Sequence, residues 1–532
     1  MPTPTETLTP TATSSPSGHT FHESEVRTGP APTFPVIGVV AADQEVPMEA
    51  IDPTGKWVKI TVTGADQTWV ARSDLFFPEG VTLPVMTDLP FLPLLPTPDD
   101  SVRLYETSIT IPTYPWKDFL KPVFDKETQW DYTLFDQVAY DASNPHPSPK
   151  NYKLINLENR WIHLNVMPEL GGRIYELIFK PTGADEFYKN LVIKPSPWGP
   201  GPHGNGWLAA GGLEWALPVP EHGYAWSEEW GYITLPGEKK QAVTVFDKHQ
   251  NTVHLSVTVA LQPDKAGFDL HFNLKNRSKR VVALSYWSNA MLAPGPANTL
   301  SPDLSFFYPT DKVVVHSTGD KSLPKPGEIC SWPNYQGRDM NRLGNWHEWL
   351  GFFAFPQAQK DWAAVYDVAA NEGIVRIFPH TKVHGLKGFA FGWDNPISPD
   401  KYTDDGSAYM EMQGGLAANY DEQFPLAAGE EYDWDEFWYP VAGIHGVTQA
   451  DQHGAVNLRN ENDGLHLYLF SVSPISGDIS IRDASGVIYH ASIDIAPNSP
   501  AGITLPKAQA PISFSLHPAD GTVDWKMSGL TP

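Results

Sequence analysis

The chain has 532 residues, a formal net charge of −25, 19% charged residues and 12% aromatic residues. That is a folded composition of two to four domains, and its acidic balance excludes a nucleic-acid partner, which would need clustered Lys and Arg. The lone cysteine, Cys330, excludes an intramolecular disulfide and a Cys-based zinc site, and no run of 18 apolar residues offers a transmembrane segment.

Residues 1–33 open with MPTPTETLTPTATSSPSG, a low-complexity Thr/Pro/Ser run with no hydrophobic segment. The expectation is a disordered, extended tether. Tethers of this kind sit between a lipid-anchored or signal-cleaved N-terminus and a secreted domain. Composition alone fits a plain disordered tail equally well; the tether reading is the one that leads to the expectation of an extracellular or cell-surface protein, associated with lipid or cell wall through this segment. Residues 34–82 hold short strands around DPTGKW and QTWVARSDL. This unit resembles a bacterial Src-homology-three-like barrel. Gly55, Trp57 and Val58, then Trp69 and Val70, match that family's Gly/Trp/Val pattern, while Gln67 and Thr68 replace its usual Thr-Gly. The resemblance implies a spacer or a cell-wall tether. Residues 83–102 are punctuated by proline and read as a linker.

From 103 to 445 short alternating runs dominate, among them VVVHS, GIVRIF, DLHFNL and TVHLSVTVAL, separated by Gly, Pro, Asn and Asp turns. The block reads as almost entirely β. Residues 446–532 lose the Trp-rich character and read as a small accessory β-sandwich.

Three segments of the long block can carry chemistry. In MPELGGRIYELIF, Gly171-Gly172 marks a tight turn before Arg173. The planar donor fork of Arg173 suits paired sugar hydroxyls or a carboxylate, and equally a salt bridge within a strand. Residues 198–231 contain five Trp, including Trp207 and Trp215, together with Glu214 and His222. Flat indole faces suit sugar rings, and the glycines let loops carry them over a cleft. His203 and His222 lie 19 residues apart without companion spacing, so no metal and no cofactor is expected. In the third segment, AYMEMQGG, period two puts Tyr409, Glu411 and Gln413 on one face and Met410 and Met412 on the other. The methionine face suits a core, and the other face suits a hydroxyl-rich ligand.

This last strand, with the loop and the LAAGEEY element after it, resembles aldose mutarotases and other galactose-mutarotase-like proteins. MPELGGRI, GGLEWALP and the strand Tyr286–Asn289, which includes Trp287, resemble a mutarotase-like bacterial family. The resemblance covers about residues 103–445. It implies a galactose-mutarotase-like antiparallel β-supersandwich there, and with the units read at either end the expected chain is all-β, the supersandwich flanked by a small N-terminal β-barrel and a C-terminal β-sandwich. It also implies Glu411 as the base toward an anomeric hydroxyl. The His that acts as general acid in mutarotases is absent from VVALSYWSNAML. Candidate replacements are Glu214, His222, His347 in NWHEWLG, His384 in HTKVHGLKG and Asp394 in FGWDN, with Trp393 beside it as a stacking surface.

The expected partner is a carbohydrate. The expected function is a secreted glycoside hydrolase, with Glu411 as nucleophile or base and Glu214 as acid. The alternatives are an aldose epimerase-like enzyme, a lyase in which Arg173 neutralises an acidic sugar, and a non-catalytic carbohydrate-binding protein.

Overall fold

The computed structural model describes residues 16–532, except 31–33, 35, 53–54, 63–64, 66, 79, 87–100, 127–128, 198–206, 238–239, 249–251 and 507. Strands dominate, and Gln137–Ala142 is the one α-helix among the described residues. A twelve-stranded antiparallel sheet forms one layer of the central block. Its path runs from Ile329–Ser331 through Lys312–Thr318, Leu350–Ala354, Gly385–Ala390, Met410–Gly415, Trp287–Leu292, Gly212–Ala216 and Arg173–Phe179 to Arg103–Thr113. An eight-stranded sheet, from Gly231–Leu235 to Leu304–Phe307, faces it.

Alternation builds the core between the layers. Met410, Met412, Leu213 and Trp215 come from the first sheet, and Phe272, Val375 and Trp434 from the second, all in one buried cluster. One charge pair is buried with them. Arg376 donates to both Glu436 oxygens at 2.8 and 2.6 Å, and the Nε1 groups of Trp434 and Trp438 also donate to that carboxylate. Each glutamate oxygen is thus satisfied, which such burial requires. Cys330 is buried in the same cluster as a small apolar side chain.

The first unit begins earlier than the sequence pattern suggests. Strands Ser17–Thr20 and Ser24–Arg27 join a seven-stranded antiparallel sheet with the strands of residues 36–76. The tether expected over residues 1–33 is therefore corrected from Pro16 on. Val26 is fully buried and supplies core, which a Thr/Pro/Ser count overlooks. Residues 1–15 lie outside the described residues, as do 87–100, most of the expected linker over 83–102.

At the C-terminus, two four-stranded antiparallel sheets enclose Leu467, Ile479, Phe514 and Trp525. Phe470 and Val472 of this sandwich belong instead to the central core. The sandwich is therefore docked by apolar packing.

Candidate functional site

Register sets the site. Cross-strand partners share a face of an antiparallel sheet. Glu214 pairs with Asn289, Asn289 with Gln413, and Gln413 with Lys387. This polar row crosses four strands on the face away from the core. In the next row Glu411 lies between Met291 and Phe389. A loop after the Gly212–Ala216 strand then folds back over the row. Gly223 permits the return: its φ is +62°, and a Cβ there would stand 2.3 Å from the Leu217 amide nitrogen. The Tyr224 amide donates to the Leu217 carbonyl at 2.9 Å and closes the loop, which sets His222 above Glu214.

The result is a cavity of about 450 Å³. Glu411, Lys387, His222, Glu221 and His316 give its polar lining, and Trp207, Trp349 and Phe389 contribute to its apolar wall. A β-bulge between Val315 and Ser317 lets neighbouring residues His316 and Ser317 both reach it.

Glu411 is 4% exposed. Its Oε2 accepts from Gln413 Nε2 at 2.8 Å and lies 3.9 Å from Lys387 Nζ. Gln413 Oε1 accepts in turn from the Tyr420 hydroxyl, which fixes the amide. Burial lowers the pKa of Lys387, against the opposing charges of Glu411 and Glu221. Its ammonium lies over the Tyr420 ring, 4.9 Å from the centroid.

His222 and Glu214 form a second unit. His222 Nδ1 donates to Glu214 Oε1 at 2.7 Å, and the imidazole stacks on Trp207 with centroids 3.8 Å apart. Arg173 is fully buried and donates to Glu214 Oε2 at 2.9 Å, to the Gly211 carbonyl and to the Leu170 carbonyl. Burial alone would raise the Glu214 pKa, but the charges of Arg173 and His222 outweigh it and lower the value. Burial alone would lower the His222 pKa, but the hydrogen bond and charge of Glu214 raise it. Each partner thus favours the charged form of the other. His316 Nε2 lies 3.5 Å from Glu221 Oε1.

Several sequence-predicted residues take other places. Glu214 is held ionised by Arg173 and lies behind His222, a geometry that opposes an acid role for it. Arg173 has its donors committed to protein acceptors, which opposes direct substrate contact. Trp215 is core, with Nε1 donating to the Gly172 carbonyl. Trp287 is fully buried against Phe353 and Tyr420. Tyr409 precedes the strand and is buried among Tyr188, Phe391 and Tyr402. His347 and Asp394 pair at 2.6 Å on the surface, and His384 meets the Thr381 carbonyl at 3.2 Å. None of these lines the cavity, whereas Glu411, His222 and Trp207 do. His203 lies outside the described residues.

Lys387, Glu221 and His316 were missed by sequence reasoning. Lys387 had a local signal: in GLKGFA it is the polar residue of a short apolar strand. Glu221 adjoins His222 with φ +61°, and only the returning loop gives it meaning.

Residues 130–441 match the family model described as Domain of unknown function (DUF5107). A TPR-domain containing protein from Parabacteroides distasonis is similar in structure, at 22% identity and TM-score 0.53, over 64% of this chain and 55% of that one. The chain thus spans about half the length of that protein, and the likeness bears on the fold. A galactose mutarotase-like protein from Clostridium acetobutylicum aligns at 13% identity and TM-score 0.38, over 55% of this chain and 96% of that one. A galactose 1-epimerase from Lactobacillus acidophilus aligns at 14% identity and TM-score 0.36, over 55% and 96%.

Proposed function

The chain belongs to the family described as Domain of unknown function (DUF5107), so its chemistry has to be argued from the site, and we propose an aldose epimerase-like enzyme acting at the anomeric centre of a sugar. One observation carries this reading: a buried carboxylate, Glu411, and a carboxylate-backed imidazole, His222, line the same cavity. These are the base and acid that ring opening needs.

In the forward step Glu411 takes the proton of the anomeric hydroxyl while His222 gives its proton to the ring oxygen. The bond between C1 and the ring oxygen breaks and an open-chain aldehyde results. Rotation about the C1–C2 bond exposes the other carbonyl face. On closure the hydroxyl returns its proton to His222, and Glu411 returns its own to the new anomeric oxygen. Glu214 keeps Nδ1 protonated and so directs the other ring nitrogen to the exchange. Lys387, close to Glu411, offers a cation where charge shifts between the carboxylate and the sugar oxygens. Trp207, Trp349 and Phe389 supply apolar faces for the ring carbons.

A glycoside hydrolase is the second reading, favoured by the second carboxylate in the cavity, Glu221. Anomer exchange of free aldoses followed by NMR, run beside release from aryl glycosides, separates the two. Epimerase action predicts accelerated exchange for at least one aldose, abolished in Glu411→Gln. Glycoside release that depends on Glu411, with no exchange of any aldose, would transfer the assignment to hydrolysis.

A further inference from the structure

A second pocket, of about 260 Å³, adjoins the first. The two share Phe391 and Ile397 as wall residues. Thr299, Leu300, Trp393, Pro399 and Tyr402 are among its other lining residues, and the pocket surface is largely apolar. Trp393 is 37% exposed, the one tryptophan among the exposed large hydrophobic residues of the described chain. Its loop is built rather than loose. The Trp393 and Asp394 amides donate to the Trp346 carbonyl at 2.9 and 3.2 Å, and the Asn395 amide to the His347 carbonyl at 2.8 Å. The Ile397 amide donates back to Phe391 at 3.1 Å. An indole held open to solvent by its backbone is an unusual expenditure of apolar area, and its flat face suits the carbon face of a pyranose.

We propose that this pocket is a subsite for a second sugar ring, so that the ligand is a reducing oligosaccharide of at least two rings. The inference rests on the carbohydrate reading above. The reducing ring occupies the Glu411 cavity. The next ring crosses the Ile397 edge and lies on Trp393, with the exposed His347–Asp394 pair at the same loop junction. The shared wall at Phe391 and Ile397 is what makes the two spaces neighbours for one ligand.

The test is calorimetric titration of the wild-type chain and of Glu411→Gln. Maltose, cellobiose and lactose are compared with glucose, galactobiose with galactose, and xylobiose with xylose. At least one disaccharide is expected to bind about 3- to 10-fold more tightly than its own reducing-end monosaccharide. Trp393→Ala should remove that advantage and leave the monosaccharide unchanged, while Trp393→Phe should keep most of it. No advantage for any disaccharide, or an advantage that survives Trp393→Ala, overturns the subsite. Anomer exchange keeps the two proposals apart. Disaccharide preference without exchange removes the epimerase reading alone, and exchange without preference removes the subsite alone.

Discussion

Replacing His222 by Asn isolates the proposed acid. The Asn amide can still donate to Glu214 in place of Nδ1, so the buried carboxylate keeps a partner and Arg173 keeps its counter-charge. What is lost is the second ring nitrogen and the stack on Trp207, whose centroid distance is 3.8 Å. The stack contributes about 0.5–1.5 kcal/mol, so the folded state should survive. A positioned general acid contributes about 10²–10⁴ in rate, or roughly 3–5 kcal/mol of barrier. The expected outcome is a fall of that size in anomer-exchange rate with a near-native melting curve. The pH profile carries the diagnostic part. Glu214 raises the His222 pKa against burial, and the acid must be protonated. Activity should therefore fall as pH rises through a value above the usual histidine range of about 6.5. In His222→Asn that alkaline limb should vanish. An exchange rate within threefold of wild type, or a limb that stays where it was, refutes His222 as the acid.

The other predictions concern stability as well as turnover. Burial lowers the Lys387 pKa, so at neutral pH a protonated Lys387 costs folding free energy that a methionine does not. Lys387→Met should slow exchange, and in the Glu411→Gln background, where it leaves no bare Glu411 carboxylate, it should raise the melting temperature by calorimetry; a lower melting temperature there contradicts this account. The His222–Glu214 pair has its own pH signature. Its histidine contribution is fully present below about pH 6.5 and is lost as pH rises through the raised folded value. The depressed Glu214 contributes above its unfolded value of 4.5 and is lost as pH falls through its lower folded value. Denaturant midpoints should accordingly decline on both sides, and His222→Asn should flatten the alkaline decline. Glu436→Gln strips the counter-charge from fully buried Arg376 and should cost about 3–5 kcal/mol in urea unfolding; a cost below 1 kcal/mol would mean that Arg376 reaches another anion. Gly414→Ala would place a Cβ 1.9 Å from Arg376 Nη1, and should destabilise by about 1–3 kcal/mol or more.

Period-two alternation was enough to separate faces. Met410 and Met412 went to the core and Glu411 to the opposite side because a pleat allows nothing else. The same pleat puts Leu213 and Trp215 inside and Glu214 outside, so Trp215 is core and not one of the sugar-facing indoles. Turn chemistry and strand-length runs made the all-β class legible, and the antiparallel sandwich follows from alternating strands that must cover one apolar face with another. The drift from Thr/Pro/Ser to HTFHESEVR was too short to betray a strand, since a single fully buried Val26 carries the distinction.

The partnership of distant residues was decided elsewhere. Glu214 lies 41 residues from Arg173, and only the strand register brings them within 2.9 Å. A sequence shows a carboxylate, but not the guanidinium that lies against it, and that contact is the reason His222 and not Glu214 is proposed as the acid. Lys387 meets Gln413 and the carboxylate of Glu411 through pairing between strands that are separate in the chain. His347, His384 and Asp394 looked equally suitable in sequence, because residue type does not encode which side of a fold a loop returns to. Local periodicity determined the faces of each strand; long-range register and loop return, which depend on packing of the whole chain, determined which side chains share the cavity.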